Sequence, residues 1–222
     1  MAVSRVRDAA QFLFGAWKSR SRSKRVLTAL ALVMMIAGAG MLAYPLATHV
    51  YSSTKQRSLD AEFLTPEFKR NFQAGQIVEG QVLTRIVIER LGVNALIVEG
   101  TEPKALRAGA GHYRKTALPC QTGNVGIAGH RTTYGKPFSR VDELSAGDII
   151  SLVTPERSCD YVVVEGERGK RRPRRGAAAW ITHPNDGAVL GPLPGSMLTL
   201  TTCHPKGSAR ERLILRAQLK TA

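Results

Sequence analysis

From Gln81 onward, short runs of alternating apolar and polar residues are separated by glycine, asparagine and proline, the pattern of strands joined by tight turns. Gln81–Glu89 (QVLTRIVIE) predicts a first strand, and Leu91-Gly92-Val93-Asn94 a turn into a second over Ala95–Val98. Further strands are predicted over Asn124–Ala128, Asp148–Val153, Asp160–Glu165, Ala178–Thr182, Ser196–Thr202 and Arg212–Leu219. Thr101–Gly111 reads as a short helical turn running into glycines, and Pro137–Leu144 as a short helix or turn. Eight strands with short connections predict a single all-β barrel or sandwich.

The first 75 residues have a different texture. Val26–Leu46 carries no charge, and a helix of about 20 apolar residues crosses a bilayer core of about 30 Å. Arg5, Arg7, Lys18, Arg20, Arg22, Lys24 and Arg25 precede it, against one acid, Asp8. Basic flanks stay in the cytoplasm, so the expected arrangement is a single-pass signal anchor with its N-terminus inside and the C-terminal bulk outside. A buried core helix rarely has such a flank. A cleaved signal, with Pro45-Leu46-Ala47 as the cleavage neighbourhood, usually has a shorter apolar core. The expected organisation is a cytoplasmic basic tail (1–25), a transmembrane segment (26–48), a polar stalk (49–75) with helical potential over Asp60–Phe72 broken by Pro66, and a strand-rich domain (76–222).

Hydrophobic residues make up 43% of the chain, which excludes a disordered protein. The net charge of +15 first suggests nucleic acid. Membrane topology accounts for the N-terminal excess, however, and aromatic residues are sparse among the basic runs; no nucleic-acid partner is expected. Arg168–Arg175 (RGKRRPRR) holds six basic residues and no acid. It reads either as a solvated loop or as a contact for anionic envelope polymer or lipid headgroups.

Cys120, Cys159 and Cys203 are an odd number for an exported domain, so one is unpaired unless two chains join. Cys203 ends a strongly apolar strand, just before His204-Pro205, where a thiol can face a cleft while its backbone is held rigid. A thiolate there is a competent nucleophile. His130 ends the strand NVGIA in the same way, and an imidazole can pair with the thiol and later protonate a leaving amine. Arg212 begins the next strand after Cys203; if the two are antiparallel neighbours, its fixed charge returns to the thiol and suits an oxyanion. Taken singly, each residue also has a structural reading: a buried thiol, a strand-end histidine, an arginine paired with Glu211. His130, Cys203 and His204 supply only three metal ligands without paired spacing, so no cofactor is expected.

The blocks GIAGHRTTYG, LTLTTCHP and SARERLILRA resemble the sortase family, and specifically the class E housekeeping sortases of Gram-positive bacteria, over about Gly80–Leu219. The resemblance implies an eight-stranded sortase-type β-barrel behind a membrane anchor. It implies that Cys203 is the nucleophile and forms a thioacyl intermediate, that His130 is the acid/base partner, and that Arg212 stabilises the transition state. The implied reaction cuts a C-terminal LAXTG- or LPXTG-type signal of a secreted protein between Thr and Gly and passes the acyl group to an amine on a peptidoglycan precursor of the lipid II type. Tyr113, in GAGHYRKTAL, resembles a tyrosine near the second position of that signal; packing on the barrel rim is its alternative. RGKRRPRR departs from the family pattern as an insertion. Cys120 and Cys159 lie outside the family motifs, and a bridge between them would leave Cys203 free; the sequence does not decide this. A pilin-polymerising sortase stays open as a second reading, although no strong lid segment precedes the barrel and Asp60–Phe63 is a weak candidate. A non-catalytic envelope-binding module, the third reading, has no need of a free Cys203 opposite His130 and Arg212.

Overall fold

The computed structural model of the chain describes residues 21–220. Residues 1–20 of the expected basic tail lie outside them. Nine strands form one sheet: β1 (Val82–Ile88), β2 (Val93–Glu99), β3 (Ala110–His112), β4 (Gly123–Gly129), β5 (Ile149–Val153), β6 (Ser158–Val163), β7 (Trp180–Thr182), β8 (Ser196–His204) and β9 (Glu211–Leu219). Their order is β6-β5-β1-β2-β3-β4-β8-β9-β7, and β6 also pairs with β9. That last pairing closes eight strands into a barrel. The C-terminal half of β9 (Ala217–Leu219) meets β6, while its N-terminal half (Arg212–Ile214) carries the short β7. The β2–β3 and β4–β8 pairs are parallel.

Inward residues fill the barrel. Ile86, Ile97, Ile127, Leu152, Leu200, Leu213 and Leu215 belong to one buried cluster with Phe138 and Tyr161. Each such aliphatic side chain contributes about 1.5–3 kcal/mol by leaving water. The disulfide Cys120–Cys159, with Cα atoms 5.7 Å apart, joins the β3–β4 connection to β6 and lies within this cluster. Cys203 is the free cysteine.

All eight strands expected from the sequence are present. The ninth, β3, falls where the sequence predicts a helical turn and glycine punctuation. The helical part exists as a short helix over Pro103–Leu106, but Ala110–His112 pairs with both β2 and β4 and completes the ring. Gly111 is required there, because a Cβ would lie 2.1 Å from the carbonyl oxygen of Gly100.

The residues expected as a stalk are helical. Helix α1 runs from Arg22 to Phe63 with Pro45 inside it. Pro66 starts rather than breaks a helix. It occupies the first turn of α2 (Pro66–Gln73), whose N-cap Thr65 accepts from the Phe68 amide at 3.1 Å. Over Pro45–Phe63, α1 is held to the barrel along one stripe. Ser52 Oγ donates to the Ala108 carbonyl at 3.1 Å, and Gln56 Nε2 donates to the carbonyls of Leu96 and Ala108. Leu59 and Phe68 pack with Val82, Leu96 and Val98 in a second apolar cluster. The part of α1 up to Tyr44 exposes Val26, Leu27, Val33, Met34, Met35, Ile36, Met41 and Leu42. Helix α1 is the one helix among the described residues long and apolar enough to cross a membrane.

Candidate active site

Strands β4, β8 and β9 lie side by side, and their ends build the site. Cys203 is the penultimate residue of β8 and Arg212 the second of β9; the antiparallel register pairs them directly. On the other side, β4 and β8 are in parallel register through Ala128↔Thr201. Two residues further along each chain come His130 and Cys203. Thr202 Oγ1 donates to the Gly129 carbonyl at 2.7 Å and ties the two strand ends together just before that point. The trio expected from the sequence thus has Cys203 in the centre, His130 toward β4 and Arg212 toward β9.

Each member is held from behind. Phe138 packs against the backbone that leads into His130, so closely that a Cβ on Gly129 would lie 2.5 Å from its ring. The His130 carbonyl accepts from the Phe138 amide at 3.2 Å. The Tyr134 ring lies 5.1 Å from the His130 ring, and Tyr51 of α1 packs edge-on against Tyr134 at 6.3 Å. Arg212 Nη1 donates to the carbonyls of Ala209 (2.9 Å) and Glu211 (3.2 Å), which tethers the guanidinium to its own turn. Cys203 is half-buried, so its thiol is sheltered yet reachable.

Burial lowers the His130 pKa below its ordinary value, because the imidazolium loses hydration there. The neutral ring, able to accept a proton, is therefore the favoured form near neutrality. The His204 pKa is lowered too, by burial first and then by the neighbouring Arg131 cation.

Tyr113 begins the β3–β4 connection. Its hydroxyl lies 2.9 Å from Thr201 Oγ1 on the β8 strand. It lines a groove of about 190 Å³ together with Arg212, Thr182, Leu190 and Thr201. Behind it, the buried His112 meets the Glu99 carboxylate (2.8 Å) and the Ala117 carbonyl (2.9 Å), and fixes the start of the loop. The alternative metal set does not form: among the described residues no three His, Cys, Asp or Glu side chains are grouped to hold an ion.

Three further parts of the site escape a reading of the sequence alone: Arg131, Tyr134 and the 183–190 connection that walls the groove. Arg131 and Tyr134 lie in the GIAGHRTTYG block within four residues of His130, which is their signal in the sequence, but the block by itself gives neither a role.

The basic loop is partly spent on structure. Arg172 donates to the carbonyls of Ala178 (3.0 Å) and Gly166 (2.7 Å), and Arg174 to those of Asp142 (2.8 Å) and Glu143 (2.7 Å). Arg171 pairs with Glu211 beside the site.

A family model described as the sortase domain matches residues 86–220, more than half of the chain. The chain belongs to the sortase family. Sortase SrtE1 of Streptomyces coelicolor is 32% identical over 156 residues, which cover 64% of this chain and 41% of that protein. Sortase D of Bacillus subtilis is 29% identical over 140 residues, 61% of this chain and 63% of that protein. The chain thus spans less than two thirds of either curated relative. Among solved structures, sortase E1 of Streptomyces coelicolor with a tripeptide in its active site superposes with a TM-score of 0.56 at 32% identity, over 64% of this chain and 90% of that one. A sortase D5 transpeptidase of Clostridium perfringens gives 0.63 at 27% identity, over 78% and 99%. The likeness to class E proteins agrees with the sequence blocks, and this sortase carries its His130, Cys203 and Arg212 on three adjacent strand ends.

Proposed function

We propose that this sortase is a membrane-anchored cysteine transpeptidase that uses Cys203 as nucleophile, His130 as acid and base, and Arg212 as the oxyanion-side cation. The direct Cys203↔Arg212 register, with His130 two residues past the last β4–β8 pair, carries the reading. The Cys203 sulfur attacks the carbonyl carbon of the signal's threonine. His130 takes the thiol proton and delivers it to the departing glycine nitrogen as the C–N bond breaks. The negative charge that builds on the carbonyl oxygen is met by the fixed charge of Arg212, which β9 holds on the rung beside Cys203. The resulting thioester is attacked by an amine, which forms a new amide and returns the thiol. A lipid II-type amine is the proposed acceptor, and secreted proteins with a sorting signal are the proposed donors.

The groove that joins Arg212 to Tyr113 supports an extended peptide lying with its threonine at Arg212 and its second residue toward Tyr113. An LAXTG-type signal, with alanine at that second position, fits a groove narrowed by a tyrosine. The exposed apolar part of α1 and its basic flank support a single-pass anchor with the tail 1–25 inside and residues 76–222 outside; the expected span 26–48 is shortened to about Val26–Tyr44, because α1 is docked on the barrel from Pro45 on.

The test is incubation of the full chain with LAXTG and LPXTG peptides and an amine acceptor. The wild type is expected to yield the amide-linked product, and Cys203→Ala none. A product lacking the new amide would leave only a protease, and an unchanged LAXTG/LPXTG preference in Tyr113→Ala would remove Tyr113 from the specificity role.

A further inference from the structure

Arg131 is the most deeply buried cation among the described residues near the site: its side chain is 4% exposed. A buried guanidinium costs several kcal/mol in lost hydration unless it is paired and hydrogen-bonded. Here Nη2 lies 3.0 Å from Asp142 Oδ1, Nη1 lies 2.8 Å from His204 Nδ1, and the same Nη1 reaches the Cys203 carbonyl oxygen at 3.4 Å. The three partners come from the connection after His130 and from the two residues at the end of β8.

The location explains why a cation is placed there. Strand β4 ends at Gly129, whereas β8 runs on to His204. Past Gly129 no β4 backbone remains to donate to that edge of β8, and a buried carbonyl without a donor is costly. The Arg131 side chain supplies the donor. It also fixes the His204 tautomer, since arginine can only donate: Nδ1 accepts, and the ring proton sits on Nε2. An ion pair this buried is weak support for stability, because its Coulomb gain is largely offset by desolvation. Its best-attested use is to specify one arrangement over others.

We propose that Arg131 is a positioning residue for the transpeptidase reaction: paired with Asp142, it locks the end of β8 at Cys203 and His204 to the segment that begins at His130, and so sets thiol and imidazole against each other. It touches no substrate and transfers no proton. Tyr134, which packs against His130 within the same short segment, completes the clamp. This inference rests on the function proposed above.

The geometric role predicts a particular kinetic signature. Loss of alignment by about 1 Å can cost on the order of 100-fold in rate. The peptide groove, built by Tyr113, Thr182 and Leu190, lies outside the clamp and is left intact.

The experiment measures steady-state cleavage and transpeptidation of the preferred sorting peptide by the full chain, with thermal unfolding followed in parallel. For Arg131→Met, kcat is expected to fall on the order of 100-fold while KM stays within about threefold. Arg131→Lys, which keeps a charge near Asp142 but cannot span three acceptors, is expected to recover part of that loss. Should Arg131→Met fail to fold, the double variant Arg131→Met with Asp142→Leu removes the stranded carboxylate and is read in its place, with the same expectation. A folded variant with wild-type kcat overturns the proposal alone, as does a loss carried by KM. A wild type that acts on no sorting peptide overturns the functional reading and this inference with it.

Discussion

Cys203 and Arg212 occupy one rung of the β8–β9 ladder, although nine positions separate them in sequence. The strand pairing fixes that relationship, so it does not depend on loop conformation. Arg212 is further tethered through Nη1 to two carbonyls of its own turn. Arg212→Lys keeps the charge and loses the planar fork that the proposed mechanism uses at the oxyanion. It is expected to lower kcat by about 100- to 1,000-fold, the cost of losing one oxyanion donor, with thermal stability unchanged. Peptide-cleavage kinetics measure this; wild-type kcat in Arg212→Lys would show that charge alone suffices.

The Cys120–Cys159 bridge closes a span of 39 residues between the Tyr113 loop and β6. Loop entropy assigns it roughly 2–4 kcal/mol. The double variant Cys120→Ser, Cys159→Ser is expected to unfold at correspondingly lower urea concentration and to keep the site chemistry. Thiol counting on unreduced, denatured wild type is expected to give one free thiol, that of Cys203. Three free thiols would contradict the bridge.

Stability should depend on pH through His130 and His204. Both have folded-state pKa values below the ordinary 6.5, by burial in each case and additionally by Arg131 for His204. The unfolded chain therefore binds more protons than the folded one at moderately acid pH. Their contribution is fully present above about pH 6.5 and is lost as pH falls through the lowered folded values. Urea unfolding at pH 7.5 and 5.5 tests this on wild type and on His130→Gln with His204→Gln. The double variant is expected to lose less stability on acidification; an equal loss would contradict the assignment.

The basic loop separates into two sets of residues. Arg172 supplies donors to the carbonyls of Gly166 and Ala178, whereas Lys170 is exposed and lies 4.0 Å from Glu167. Arg172→Ala is expected to destabilise by about 1 kcal/mol or more. Lys170→Ala should stay within about 0.5 kcal/mol. Thermal denaturation of the two variants distinguishes this from a wholly solvated loop, for which neither would matter.

Most of the barrel is legible in the sequence because its strands are strongly apolar runs punctuated by turn residues: β5 and β6 alternate between buried and more exposed positions, whereas β4 and the middle of β8 are buried on both sides. Strand β3 is not, since three residues, Ala110, Gly111 and His112, cannot display a period; pairing with β2 and β4 alone makes them a strand. The docked part of α1 reads as a polar stalk for a related reason. Its contact stripe, Thr48, Ser52, Gln56 and Leu59, has helical spacing, but two of its members, Ser52 and Gln56, are polar and bind the barrel through hydrogen bonds. A hydrophobicity pattern does not register them. At the site, Cys203, His130 and Arg212 stand out because each ends or begins a strongly apolar strand. Arg131 does not, because a buried arginine and an exposed one look alike in sequence; only the end of β4, two residues earlier, gives it a task.

Whether Cys203 carries the acyl group decides the rest of the mechanism. Intact-mass spectrometry of the full chain, incubated with a sorting peptide and no amine acceptor, followed by mapping of the modified fragment, reads this out. The expected result is a mass increase equal to the peptide portion up to threonine, located on Cys203, removed on addition of an amine and absent in Cys203→Ala. An adduct on another residue, or peptide cleavage that persists in Cys203→Ala, would contradict it.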